Sequence, residues 1–146
     1  MTMPPRTILL IEDEADDEAL TVRALSKGHV ANNVAVARDG AEALEFLLGG
    51  PSGSPPATHQ PQVVLLDLNL PKVDGLEVLR RLRADERTKF LPIVVLTSSD
   101  EERDLVESYR LGANSYVRKP VNFNEFAEAV QHLGLYWLLV NQPPPH

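Results

Sequence analysis

The sequence predicts an α/β domain, a doubly wound five-stranded parallel sheet flanked by five helices, and three observations carry the prediction. Short apolar runs alternate with stretches of helical spacing. The runs are continuously apolar, as strands covered by helices on both faces require. Acidic, hydroxyl and basic residues follow directly after the runs, where the ligand crevice of an open α/β sheet lies. The 146 residues, 43% hydrophobic and 24% charged, suit one domain spanning 1–146, with its core over about 6–133.

The first run, TILLI at 7–11, reads as a strand and ends in Glu12 and Asp13. Residues 14–27 follow with helical spacing, and Glu12, Asp13 and Glu14 stand where the positive end of that helix favours carboxylates. VAVA at 34–37 is the second strand and 40–48 the second helix. The Gly, Pro and Ser of 49–61 then make a long surface loop. VVLL at 63–66 is the third strand, followed at once by Asp67, and 75–87 is the third helix. IVVL at 93–96 is the fourth strand and leads into Thr97. Ser98 and Ser99, each with a glutamate three residues on, are alternative capping boxes for a fourth helix over 100–111, which Gly112 closes. SYV at 115–117 is the fifth strand, followed by Lys119 and Pro120. The last helix runs over about 122–140, and 141–146 is a frayed tail.

Composition excludes several chemistries. Without cysteine there are no disulfides, cysteine zinc sites, iron-sulfur clusters or thiol nucleophiles. The net charge of −7 argues against nucleic acid and anionic membrane as partners, since both need a basic patch. No apolar run approaches a membrane span and no signal sequence opens the chain, so a cytoplasmic protein is expected.

The strand ends gather three carboxylates (Glu12, Asp13 and Asp67), one hydroxyl (Thr97) and one amine (Lys119) on one rim. A cluster of three carboxylates must take up protons or bind a cation. An all-oxygen donor set selects a hard ion such as Mg²⁺, which completes its shell with phosphate. A threonine hydroxyl and a lysine ammonium suit phosphoryl oxygens, so the rim is built for phosphoryl transfer. Asp67 is the least dismissible of the five, because a charge straight after four apolar strand residues is costly unless paired or used.

On these residues the chain resembles the receiver domain of bacterial two-component response regulators, of the stand-alone, CheY-like kind. The likeness rests on Glu12-Asp13 after the first strand, VVLLDLNLPKVDGLEVL around Asp67, IVVLTS ending at Thr97 and Ser98, and LGANSYVRKP ending at Lys119-Pro120. It implies that Asp67 takes a phosphoryl group from a phosphohistidine on a sensor histidine kinase, without separate substrate turnover. It implies that Glu12, Asp13, Asp67 and the backbone carbonyl of Asn69 hold Mg²⁺, and that Thr97 and Lys119 stabilise the phosphoryl oxygens. Pro120 matches a turn that aims Lys119 inward. Thr97 and Tyr116 match switch positions that reshape the face made by the fourth helix, fifth strand and fifth helix. Asn69 cannot act as a base, which implies slow or moderate self-hydrolysis. The receiver occupies almost all the length, so output through other proteins is expected.

Beyond the core seam of the last helix lie Leu135, Tyr136, Leu138 and Leu139, an apolar patch that a monomer would expose. They are expected to bury in a homodimer. The tail, the long loop and LDLNLPKVDG are similar to receivers partnered with bacterial phytochrome kinases. The rival class is a phosphohydrolase of the haloacid dehalogenase type. That rival usually carries its nucleophile on the first strand and an aspartate two residues on, where this chain has Asn69.

Overall fold

The computed structural model describes residues 7–27, 33–50, 60–98, 101–119 and 123–135. Five strands, β1 (Thr7–Ile11), β2 (Asn33–Ala37), β3 (Val63–Leu66), β4 (Ile93–Thr97) and β5 (Ser115–Arg118), alternate with five helices. The helices are α1 (Ala15–Lys27), α2 (Gly40–Leu48), α3 (Gly75–Ala84), α4 (Glu102–Arg110) and α5 (Phe123–Leu135). All strand pairs are parallel, in the order β2-β1-β3-β4-β5, which is the predicted doubly wound sheet. The chain leaves β1 toward one edge and returns to the other side of it, so the topological switch lies between β1 and β3.

The apolar runs split between two faces because successive side chains of a strand point opposite ways. Leu9, Ile11, Val64, Leu66, Ile93 and Val95 bury against α2 and α3 through Ala43, Leu47, Val78, Leu79 and Leu82. Ile8, Leu10, Val63, Leu65, Val94 and Leu96 bury on the other face against α1 and α5 through Ala24, Leu25 and Val130. Asp39 caps α2 by accepting from the Glu42 amide at 2.7 Å, and Asp74 caps α3 by accepting from the Glu77 amide at 3.1 Å.

Among the described residues, two helix boundaries differ from the sequence expectation by more than one residue. The third helix ends at Ala84 rather than 87, because Asp85 turns extended (φ −101°, ψ 132°) and its carboxylate accepts from the Arg87 amide at 2.9 Å. That local bond competes with helical continuation. The fourth helix starts at Glu102, with Glu101 at the cap and no side-chain cap bond. Ser98 stands three residues ahead of that cap, so its box does not open the helix; Ser99 lies outside the described residues. The expected close does occur: Gly112 adopts φ 103°, its amide bonds the Tyr109 carbonyl, and the Ala113 amide bonds the Ser108 carbonyl at 2.9 Å. This pairing satisfies the last carbonyls, and the positive φ suits glycine.

Pro120, Tyr136, Leu138, Leu139, most of the 49–61 loop, the last helix beyond Leu135 and the tail all lie outside the described residues. Leu135 is the final residue of α5. No helix among the described residues is long and apolar enough to cross a membrane.

Candidate phosphoryl-transfer site

The carboxyl ends of β1, β3, β4 and β5 assemble the five residues read from the sequence. Glu12 follows β1, and its amide continues the pairing to β2 through the Ala37 carbonyl at 2.9 Å. Asp67 follows β3, with its amide bonded to the Ile11 carbonyl at 3.0 Å. Thr97 ends β4, fully buried, and its carbonyl accepts from the Lys119 amide at 2.7 Å. These backbone bonds carry the sheet ladder past the last strand residues and fix where the side chains start.

The loop after Asp67 turns back tightly. Leu68 offers its carbonyl to the Gly75 amide at 3.0 Å, and a Cβ on Gly75 would lie 2.5 Å from the Asp67 carbonyl oxygen. Glycine is therefore required where α3 meets the backbone of Asp67. Asn69 donates its amide to Asp67 Oδ1 at 3.0 Å.

Lys119 is the centre of the site. Its Nζ donates to Glu12 Oε2 at 2.7 Å, Asp17 Oδ2 at 2.8 Å and Asp67 Oδ2 at 2.9 Å. The side chains of Lys119, Glu12 and Asp67 are 7%, 2% and 8% exposed, so Lys119 is no solvated surface lysine. Burial pulls its ammonium down, but the bonds to Asp17, Glu12 and Asp67 outweigh that and hold it above its ordinary value. Burial pushes the Glu12 carboxyl up to about 7, with the Lys119 bond opposing and the Asp67 charge reinforcing.

Glu12, Asp13 and Asp67 each bring a carboxylate oxygen within 4.8 Å of the others. Asp13 is exposed, which leaves the buried pair an open side. Three hard oxygen donors around a desolvated carboxylate that is hard to keep ionised fit a divalent cation of the Mg²⁺ or Mn²⁺ kind. Tyr116, on β5, is half-buried against the cluster that holds Leu111 and Ala113.

Sequence reasoning missed Asp17. It stands in the first turn of α1 among Asp16 and Glu18, where acids suit the helix end regardless of any site. The available signal was its place one helical turn after Asp13, on the same rim.

Comparison with known proteins agrees with this geometry. The family model for the response regulator receiver domain matches residues 8–131. The chain is 38% identical to the response regulator Rcp1 of Synechocystis over 135 residues, covering 92% of this chain and 90% of that protein. The solved Mn²⁺-bound form of Rcp1 is 36% identical with a TM-score of 0.85, covering 97% of this chain and 100% of that one. The phosphorylated cyanobacterial phytochrome response regulator RcpA is 35% identical with a TM-score of 0.89, at the same coverage. The bacteriophytochrome response regulator AtBRR is 51% identical with a TM-score of 0.74, covering 96% of this chain and 100% of that one.

Proposed function

The chain belongs to the response regulator receiver domain family, and from that premise we propose that it accepts a phosphoryl group from a sensor histidine kinase onto Asp67. The observation that carries this reading is the triple contact of Lys119 with Glu12, Asp17 and Asp67 at the strand ends. It puts a desolvated ammonium beside Asp67, the buried aspartate that follows the apolar strand β3.

An Asp67 oxygen attacks phosphorus and forms the O–P bond as the N–P bond to the kinase imidazole breaks. The electron pair stays on the imidazole nitrogen. Both Asp67 oxygens carry a partner, Asn69 N–H on Oδ1 and Lys119 on Oδ2, so the carboxylate is oriented before attack. Lys119 and Thr97 stabilise the charge on the phosphoryl oxygens. Glu12, Asp13, Asp67 and the Asn69 carbonyl would hold Mg²⁺, which when bound neutralises charge on the transferring group. Asn69 supplies no base, so self-hydrolysis of the acyl phosphate is slow or moderate and there is no separate substrate turnover.

The signal leaves through the face of α4, β5 and α5. Thr97 moves toward the phosphoryl group and Tyr116 follows it; a Tyr116→Ala variant that phosphorylates and signals normally would count against this. The names of RcpA and AtBRR support a bacterial phytochrome as the kinase. Leu135, Tyr136, Leu138 and Leu139 bury a homodimer, which a strictly monomeric mass in both phosphorylated and free states would refute. The haloacid dehalogenase reading gains no support from the comparisons, and the nucleophile position directly follows β3, the third strand, with Asn69 two residues on.

The test is phosphotransfer from an autophosphorylated phytochrome kinase. Label is expected to move to the wild-type chain and not to Asp67→Asn. Transfer to both variants alike would overturn the assignment.

A further inference from the structure

We propose that Asp17 is a positioning residue that competes with the incoming phosphoryl group for the Lys119 ammonium and so restrains phosphorylation. The inference rests on the phosphoacceptor reading of Asp67 and concerns a residue which that reading leaves without a role.

An ammonium has three N–H donors. All three of Lys119 are committed, to Glu12, Asp17 and Asp67. Lys119 can bond a phosphoryl oxygen only by releasing one of them. Glu12 and Asp67 belong to the carboxylate cluster that fits a cation, whereas Asp17 lies outside it. Asp17 is also the most exposed of the three partners, its side chain at 35%, and it reaches in from α1 rather than from a strand end. A cation on Glu12 and Asp67 takes up negative charge there, which leaves Asp17 as the partner still drawing the ammonium away from Asp67. The neighbouring acids of the same turn do something else: Glu18 pairs with Arg38 at 3.0 Å, and Asp16 is exposed.

Asp17→Asn keeps the shape and removes the charge. Phosphorylation by acetyl phosphate at saturating Mg²⁺ is expected to speed up about fivefold, the upper end of what one solvent-exposed ion pair contributes. Beryllofluoride binding is expected to tighten to a similar degree. Asp16→Asn makes the same charge change without touching Lys119 and is expected to move both quantities less than about twofold, since exposed charges are screened.

A separate readout uses the metal-free protein. The Lys119 ammonium resonance, sheltered by three carboxylates, is expected to shift and exchange faster in Asp17→Asn and not in Asp16→Asn. Unchanged or slower phosphorylation in Asp17→Asn, or equal acceleration in both variants, overturns the proposal. If the wild type takes no phosphoryl group at all, the reading of Asp67 fails as well; if it does and Asp17→Asn is no faster, only the role of Asp17 fails.

Discussion

Replacing Lys119 with methionine keeps an apolar stem of similar length and deletes the ammonium that three carboxylates share. Removing one partner of a buried ion pair costs about 3–5 kcal/mol, because the remaining charge is left uncompensated. Two of the three acids, Glu12 and Asp67, are buried, while Asp17 at 35% side-chain exposure keeps water. The lower end, about 3 kcal/mol, applies because Glu12 can take up a proton instead. For a domain of this size that is about 10 °C of melting temperature.

The pH dependence follows from the direction of the Glu12 shift. Its carboxyl is raised from 4.5 to about 7 in the folded chain, so its contribution to stability is full below its ordinary value and is lost as pH rises through about 7. Losing Lys119 raises it further and moves that loss upward. Melting followed by circular dichroism in chelator is therefore expected to show the full deficit at about pH 8.5 and a much smaller one at about pH 5.5, where Glu12 is protonated. An equal deficit at both values, or none at the higher, would refute the reasoning and leave Lys119 as a packing residue.

Three further outcomes are expected. Proton and cation compete for Glu12, so apparent Mg²⁺ affinity measured by titration calorimetry should fall up to about tenfold per unit below about pH 7 and level off above it. Gly75→Ala pushes a methyl to 2.5 Å from the Asp67 carbonyl oxygen and 2.6 Å from Leu68 Cα; a loss of about 2–3 kcal/mol in urea unfolding and weaker Mg²⁺ binding should follow together. Ser108 is fully buried on α4 and its Oγ has no hydrogen-bond partner among the described residues, so Ser108→Ala should raise unfolding free energy by about 1 kcal/mol.

The parts of the fold that were legible are those with one dominant local cause. Strands β1, β3 and β4 are unbroken apolar runs because helices cover both their faces, and each was placed to within one residue. Gly112 marked its helix end because the pairing around it needs a positive φ. The misplaced boundaries came from side chains with two options. Asp85 stands among good helix formers, yet its carboxylate bonds the Arg87 amide and ends α3. Ser98 looked like a cap, but β4 runs through Thr97 and holds that stretch at the rim.

In the site, Glu12, Asp13, Asp67, Thr97 and Lys119 were legible because strand ends in a parallel sheet converge whatever the loops do. Asp17 was not. Its partner lies 102 residues away, and at the start of α1 an acid has an adequate local explanation. A charge that satisfies two causes at once reveals only the nearer one in sequence.

The most direct test of the central claim is the intact mass of the protein after incubation with acetyl phosphate and Mg²⁺. The wild type should gain one acid-stable, base-labile phosphoryl group that chelator prevents, and Asp67→Asn, folded by circular dichroism, should gain none. The same modification on Asp67→Asn, or continuous release of phosphate from simple phosphomonoesters, would contradict it.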